Sequence, residues 1–126
     1  MELQLQVAKQ QGSFLLEREL KVNGERIGVF GPSGRGKSTL VNLLAGLAKP
    51  DRGSILLDGK TLFDGTAGVN VAPDQRRIAM VFQRHALFPH LTVRKNLLYG
   101  YQRCPATERR IELAEVAEVL EISDLM

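Results

Sequence analysis

The hydrophobic and polar positions of the first 23 residues alternate with a period of two. In "ELQLQV" (2–7) every second residue is apolar, which predicts a half-exposed antiparallel strand. A similar period runs from Phe14 to Val22 and is interrupted at Arg18. The pair Asn23-Gly24 then predicts a tight hairpin turn, since both central positions of such a turn have positive φ. This turn would lead into a mostly apolar strand, "RIGVF", at residues 26–30.

The pattern changes to a helical period from Lys37 onward. Its apolar positions follow the i, i+3, i+4, i+7 spacing of one helix face and are Leu40, Leu43, Leu44 and Leu47. A turn at residues 50–53 should stop this helix. A second helical stripe falls near the end of the sequence, at Leu113, Val116, Ala117 and Leu120.

Two further strand patterns lie between these helices. "SILL" (54–57) and "KTLF" (60–63) flank Asp58-Gly59 and predict a second hairpin. "RIAMVF" (77–82) is apolar on both faces after its first residue, which is typical of a strand buried in a parallel sheet. The order of elements therefore predicts an α/β protein with antiparallel strands at its start.

The composition of the chain adds little to this prediction of the fold class. The 126 residues suit one domain or part of one, and a single cysteine excludes an internal disulfide. No apolar run approaches the about 18 residues of a membrane span, and no secretory leader is visible, so we expect a cytoplasmic location. The net charge is +3, but aromatic residues are not interleaved with the basic ones, so nucleic acid is not an expected partner.

The segment "GPSGRGKS" (31–38) fits the phosphate-binding pattern G-x-x-x-x-G-K-[ST], and it lies between a predicted strand and a predicted helix. Its glycines let the backbone N–H groups wrap a phosphate at the positive end of the helix dipole. Lys37 can reach the β- and γ-phosphates, Ser38 can contact magnesium, and Thr39 can reach the α-phosphate. The expected phosphate-binding residues are Gly31, Pro32, Ser33, Gly34, Arg35, Gly36, Lys37, Ser38 and Thr39.

Hydrolysis needs a carboxylate for the metal and a group that orients or deprotonates water. Asp58 follows an apolar strand, but Gly59 makes it a turn residue, and Asp64 before Gly65 has the same explanation. Asp124 lies too near the end of the sequence to occupy a strand tip. His85 and His90 have no obvious carboxylate partner in the sequence. These patterns therefore name no catalytic base.

The phosphate loop together with "VFQRHALFPHLTVRKNLLYG" (81–100) resembles the nucleotide-binding subunit of an ATP-binding cassette (ABC) transporter. In that family a strand following the phosphate loop ends in a glutamine, here Gln83. A run of the type L-F-P-H-L-T-V-x-x-N-L follows it, here residues 87–97. Within the family, residues 72–100 are most similar to the ATPases of molybdate importers.

The resemblance implies a partial P-loop NTPase fold of the α/β class. It would comprise an N-terminal antiparallel β subdomain, the phosphate-loop and Q-loop part of the parallel-sheet core, and the start of the helical subdomain. ATP and magnesium would be the ligands, with Gln83 contacting magnesium and the attacking water.

The resemblance also implies partners. Residues 87–93 would lie near the groove that receives a membrane permease, and a second ATP-binding subunit would complete a dimer at the inner face of the membrane. An exposed apolar loop at Leu87-Phe88-Pro89 suits a partner surface. Alternatively, Phe88 fills the core of its own domain.

Two departures from the family pattern matter. Gln11 stands near the place where the family stacks an aromatic residue on adenine, and Phe14 is the nearest aromatic. The family's signature loop, its second metal motif with the catalytic glutamate, and its switch histidine all follow a helical segment like residues 106–122. Residues 1–126 thus resemble the N-terminal portion of one ATP-binding domain, expected to bind ATP without hydrolysing it.

Two other functions stay open on the sequence alone. One is a non-catalytic remnant or interaction module that docks on a permease. The other is a different P-loop enzyme such as a nucleotide kinase, although two predicted strands precede the phosphate loop here, whereas kinases commonly begin close to it.

Overall fold

The computed structural model describes residues 1–84 and 86–125, and the chain divides into two compact units, Met1–Val81 and Phe82–Met126. The first unit contains one five-stranded sheet, one α-helix and a short 3₁₀ turn at Pro73–Gln75. The strands are β1 (Glu2–Gln11), β2 (Phe14–Asn23), β3 (Arg52–Leu57), β4 (Lys60–Asp64) and β5 (Val69–Asn70), and the helix is α1 (Lys37–Ala45). The strands lie in the order β2-β1-β3-β4-β5, and every pairing is antiparallel.

The alternating pattern of the first strand places it at the centre of the core. β1 pairs with β2 on one side and with β3 on the other, so that Leu5 lies opposite both Leu20 and Ile55. Leu5 and Ile55 are almost completely buried. Burying each such side chain stabilises the fold by about 1.5–3 kcal/mol. The predicted half-exposed strand at residues 2–7 is therefore confirmed.

The helix contributes to the same core. Among the described residues, the buried cluster consists of Leu3, Leu5, Val7, Leu16, Leu40, Leu43, Ile55, Leu62 and Phe63. Leu40 and Leu43 of the predicted helix face are buried, whereas Leu47 is exposed because the helix ends at Ala45, with Gly46 in the left-handed conformation. The helix thus stops before the predicted turn at residues 50–53.

The hairpin predicted at Asp58-Gly59 is present between β3 and β4. Asp58 has φ 48° and Gly59 has φ 77°, the pair of positive values that a two-residue turn of this kind requires. The Asp58 carboxylate accepts a hydrogen bond from the Glu2 backbone N–H at 2.6 Å. The prediction that Asp58 is a turn residue is therefore confirmed.

The predictions of a hairpin at Asn23-Gly24 and of a strand at residues 26–30 are wrong. The Gly24 N–H donates to the Met1 carbonyl at 3.0 Å, so this pair extends the β1–β2 ladder instead of reversing the chain. Residues 27–32 form an irregular segment that joins no strand of the sheet. Phe30 is 94% exposed.

The buried parallel strand predicted at residues 77–82 is also not formed. A turn at residues 76–77 is followed by an irregular segment, and Val81 is fully exposed. A strand needs a neighbour to satisfy its N–H and C=O groups. In the part of the chain that the structure describes, neither this segment nor residues 26–30 is paired with a strand. The parallel-sheet portion expected from the sequence is therefore absent from the described sheet.

The second unit is helical. Its helices are α2 (Val93–Tyr101) and α3 (Leu113–Val119), with short 3₁₀ turns at Ala106–Glu108 and Ser123–Leu125. Thr92 caps α2 by accepting a hydrogen bond from the Lys95 N–H. The predicted helical stripe is present in α3, although only Ala117 is buried and Leu120 lies exposed at the end of the helix. Over residues 1–84 and 86–125, no helix has the length and apolar character to span a bilayer.

Candidate functional site

The glycine-rich loop at residues 31–36 opens directly into α1, as the sequence predicts. Gly36 forms the helix N-cap in the left-handed conformation, with φ 84° and ψ 14°. A Cβ atom at this position would lie 2.8 Å from Cδ1 of Leu16 and 3.3 Å from Cε1 of Phe14. Both the backbone conformation and the close approach of β2 therefore require glycine here.

The first residue of the helix turns its side chain back over the loop. The Lys37 ammonium donates to the carbonyl oxygen of Gly31 at 2.6 Å and to that of Pro32 at 2.7 Å. Both contacts lie on the solvent-exposed side of the first unit. The cation is therefore positioned over the loop while it remains accessible to an anion.

A cavity of about 390 Å³ opens beside this loop. Its walls consist of Leu16, Arg18, Val29, Phe30, Gly31, Pro32, Arg35, Gly36, Lys37 and Leu40. Three of these residues, Arg18, Arg35 and Lys37, are cationic, and none of the described lining residues is acidic. The cavity therefore favours an anionic ligand on electrostatic grounds.

The two hydroxyl residues that follow the lysine differ in their surroundings. Ser38 is exposed, whereas Thr39 is only 9% exposed. The Thr39 hydroxyl donates to Oε1 of Gln11 at 2.9 Å and so joins α1 to the end of β1. The α-phosphate contact expected of Thr39 stays a prediction, since it requires this hydroxyl to exchange its partner.

Three aspartates of the first unit, Asp51, Asp58 and Asp64, accept hydrogen bonds in turns or at strand ends. Asp64 accepts hydrogen bonds from the N–H groups of Thr66 and Ala67 at 2.8 and 2.9 Å, which confirms its predicted turn role. Asp51 accepts from the Gln10 N–H at 2.7 Å and from the Lys9 ammonium at 3.0 Å. The Gln10 hydrogen bond, followed by the Lys9 contacts, lowers the pKa of the Asp51 carboxyl below its usual value. Over residues 1–84 and 86–125, no group of three or more His, Cys, Asp or Glu is placed to hold a metal.

The other predicted site residues belong to the second unit. Gln83 lies exposed in a bend near the start of this unit. His85 lies outside the described residues. The ring of His90 contacts the ring of Phe88 edge-on, with centroids 5.9 Å apart.

The loop at residues 87–92 is fixed by α2. The Asn96 amide group donates to the carbonyl oxygens of Phe88, Leu91 and Thr92, and its oxygen accepts from the Phe88 N–H. The centroids of the Phe88 and Tyr99 rings lie 4.4 Å apart, and 38% of Phe88 remains exposed. Leu87 is 70% exposed. Phe88 thus packs within its own unit, while its neighbour presents an apolar side chain to solvent.

Sequence reasoning missed two arginines, one beside the phosphate loop and one at the far end of the helix that the loop begins. Arg18 lines the cavity, and its only signal was the interruption it causes in the alternating pattern of β2. Arg76 is buried and donates to the carbonyl oxygens of Leu43 and Leu44 at the end of α1. No local pattern reveals this second contact, because it joins positions more than thirty residues apart.

A glycine-rich loop that opens a helix, a lysine turned over that loop and a cationic cavity beside it define a P-loop protein of the α/β class. The model of one family, described as ABC transporter, matches residues 19–126. The chain belongs to the ABC transporter family. Both the predicted family and the predicted P-loop NTPase fold are therefore confirmed, and the nucleotide-kinase alternative is wrong.

Curated relatives agree with this assignment. The chain is 43% identical over 124 residues to the Molybdenum import ATP-binding protein ModC of Paramagnetospirillum magneticum, which covers 98% of the chain and 34% of that relative. It is 41% identical over its whole length to ModC of Mesorhizobium japonicum, again covering 34% of the relative. ModC of Mannheimia succiniciproducens is 46% identical over 104 residues, or 82% of the chain and 30% of that relative. The chain thus spans about a third of the length of these relatives.

Proposed function

We propose that residues 31–39 bind the phosphates of ATP, and that the chain is part of an ABC importer ATPase coupling ATP hydrolysis to uptake of molybdate or a similar anion. The observation that carries the proposal is the Lys37 ammonium held over the loop, 2.6 Å from the Gly31 carbonyl, at the start of α1. The substrate class rests on the relatives, whose names describe molybdenum import.

Each residue of the loop has a distinct role in this proposal. Except at Pro32, which has no N–H, the backbone N–H groups of residues 31–37 donate to phosphate oxygens, and the α1 dipole adds positive potential. Lys37 exchanges its carbonyl partners for β- and γ-phosphate oxygens. Arg35 and Arg18 add positive charge at the mouth of the cavity. Thr39 would exchange its hydrogen bond to Gln11 for a contact with the α-phosphate.

Magnesium fits this donor set as a partner of the nucleotide. It neutralises charge on the β- and γ-phosphate oxygens when bound, and it is usually held by few protein groups together with phosphates and water. Ser38 is exposed and adjacent to Lys37, so its hydroxyl is the group of the loop that would contact the ion. Gln83 is the second proposed magnesium contact, on the family pattern alone.

The family pattern also guides the proposed partners. The exposed Leu87 and the loop fixed by Asn96 suit a docking surface for a permease subunit. A second ATP-binding subunit would complete the assembly at the inner face of the membrane. We place residues 1–126 in one ATP-binding domain, as its N-terminal portion. Asp51, Asp58 and Asp64 are engaged in turns and strand ends. We therefore infer that residues 1–126 bind ATP without supplying the base for its hydrolysis.

The proposal is tested by replacing Lys37 and measuring the affinity for ATP with magnesium by titration calorimetry. Charge-assisted hydrogen bonds contribute about 1.5–3 kcal/mol each, so Lys37→Ala should weaken binding by about tenfold to a hundredfold. Lys49→Ala is the matched control, because it removes the same charge from an exposed position of the first unit. Equal ATP affinity in Lys37→Ala and Lys49→Ala would contradict the assignment.

A further inference from the structure

The Arg76 guanidinium is buried without a carboxylate partner among its described contacts. Only 4% of the residue is exposed. Its Nη1 atom donates to the carbonyl oxygens of Leu43 and Leu44 at 2.8 and 2.9 Å. Its Nε atom donates to the Val71 carbonyl at 2.8 Å, and Nη2 donates to Oδ1 of Asn70 at 3.1 Å. Four neutral acceptors therefore replace the water that a charged group loses on burial.

Two of these acceptors are carbonyl groups at the C-terminal end of α1. The last carbonyls of a helix have no partner within the helix, and a cation there also complements the negative end of the dipole. The other two acceptors belong to Asn70, the last residue of β5, and to Val71, which follows it. The guanidinium thus fastens the end of α1 to residues 70–76.

Gly46 allows this close approach. It caps α1 with φ 79°, and its N–H donates to the Leu43 carbonyl at 3.3 Å. A Cβ atom at this position would lie 2.7 Å from Nε of Arg76 and 2.9 Å from its Cζ. Gly46 and the Arg76 side chain therefore pack directly against each other. The C-terminal end of α1 is stabilised both by its Gly46 cap and by the hydrogen bonds from Arg76.

The opposite end of the same helix carries the phosphate loop. α1 has nine residues, so its two ends lie about 13 Å apart. The described hydrogen bonds of Arg76 reach the end of α1 and residues 70–71, and none of them reaches the loop. They act on the position of α1, and Gly36 and Lys37 lie at the other end of that helix.

We propose that Arg76 is a positioning residue for the phosphate loop: by anchoring the C-terminal carbonyls of α1 to residues 70–76, it fixes where Gly36 and Lys37 present their donors. This role rests on the proposed nucleotide-binding function. It assigns to a buried arginine, 39 positions after Lys37 in the sequence, control over the affinity of a site that it does not touch.

The test measures two quantities in the whole 126-residue chain. One is the affinity for N-methylanthraniloyl-ATP with magnesium, at a temperature where circular dichroism shows each variant folded. The other is the amide hydrogen exchange of residues 40–45 without nucleotide, beginning with Leu40, whose N–H donates to the Gly36 carbonyl. The variants are Arg76→Ala, Arg76→Lys, Asn70→Ala, Lys37→Ala and Leu3→Ala. Leu3→Ala is the matched control, because it removes buried volume from β1 without removing a hydrogen bond from α1.

Arg76→Ala should weaken binding by about tenfold, comparable with losing one charge-assisted hydrogen bond, and should accelerate exchange at residues 40–45. Arg76→Lys keeps the charge but loses the fork of donors, so it should be intermediate, as should Asn70→Ala. Leu3→Ala should lower the stability with little change in affinity. If Arg76→Ala fails to fold, the affinities of the other variants still test the proposal. It predicts that Arg76→Lys and Asn70→Ala bind the nucleotide more weakly than Leu3→Ala does.

Two results separate the proposals. Parent-like affinity and exchange in the Arg76 and Asn70 variants, or losses no larger than those of Leu3→Ala at equal stability, would overturn the role of Arg76. If the parent and Lys37→Ala bind the nucleotide equally, the proposed function fails. In that case the exchange of residues 40–45 still shows whether Arg76 anchors α1, the helix that carries the loop.

Discussion

At the scale of single residues, Gly36 meets two demands that are independent of each other. Its backbone lies in the left-handed region, and its missing side chain leaves room for Leu16 of β2. The first demand arises from the turn into α1 and the second from the packing of the sheet against the helix. A side chain at this position therefore disturbs the loop and the core together.

We expect Gly36→Ala to lower both the stability and the affinity for ATP. The left-handed conformation costs a residue with a Cβ about 1–2 kcal/mol, and the methyl group must also displace Leu16. Gly12→Ala is the matched control, because Gly12 has φ 57° in the β1–β2 turn and open space around it. Urea unfolding should show a loss for both variants, whereas calorimetry should show weaker ATP binding only for Gly36→Ala. A Gly36→Ala variant with the ATP affinity of Gly12→Ala would contradict this account.

The residues of the loop could be predicted from the sequence because their chemistry is local. Glycines, lysine and serine at fixed spacing between a strand pattern and a helix pattern are sufficient to indicate phosphate binding. The contacts that support the loop could not be predicted. Thr39 meets Gln11 across 28 positions, and Arg76 meets Leu43 across 33. Such pairs depend on how the helix lies on the sheet, which no single segment encodes.

At the scale of elements, the two predicted hairpins have similar turn sequences, but only one of them forms. Asp58-Gly59 forms its turn because apolar strands on both sides pair with each other. Asn23-Gly24 has the same kind of sequence, but the following segment at 26–30 does not pair with β2. Turn residues permit a reversal of the chain, and the pairing of the flanking strands decides whether it forms.

Asp51 joins two elements and gives the first unit a pH dependence. Because the Gln10 N–H and the Lys9 ammonium favour its charged form, the folded-state pKa lies below the unfolded value near 3.8. A lowered pKa stabilises the fold above the unfolded value, and this contribution is lost as the pH falls through the folded value. We therefore expect Asp51→Asn to lower the urea midpoint at neutral pH and to approach the parent in acid. An equal difference between the two proteins at pH 7 and at pH 2 would contradict the expectation.

At the scale of the whole molecule, large apolar side chains of the first unit are exposed in two segments predicted as strands, residues 26–30 and 77–82. Phe30 is 94% exposed and Val81 is fully exposed, whereas the alternating strand β1 buries Leu3, Leu5 and Val7. The apolar character of 26–30 and 77–82 was evident from the sequence. Whether these segments join a sheet depends on neighbouring strands, and for that reason the local pattern could not decide it.

We expect the 126-residue chain to self-associate, because exposed apolar segments with unpaired backbone groups favour contacts between copies. Sedimentation velocity should show a sedimentation coefficient that rises with concentration. Phe30→Ser should reduce this rise, while Leu47→Ser, which replaces a half-exposed leucine after α1, should reduce it less. A monomer at every concentration would contradict the expectation.

The central claim is that the loop at residues 31–39 grips the phosphates of a nucleotide. The most direct test is the ¹H–¹⁵N spectrum of the labelled chain, titrated with magnesium and ATP and, separately, with adenosine. We expect ATP to shift the amide signals of Gly31 and of residues 33–39 strongly and adenosine to leave them nearly unchanged. Amide signals in this loop that stay in place at saturating ATP, or that move equally with adenosine, would contradict the account.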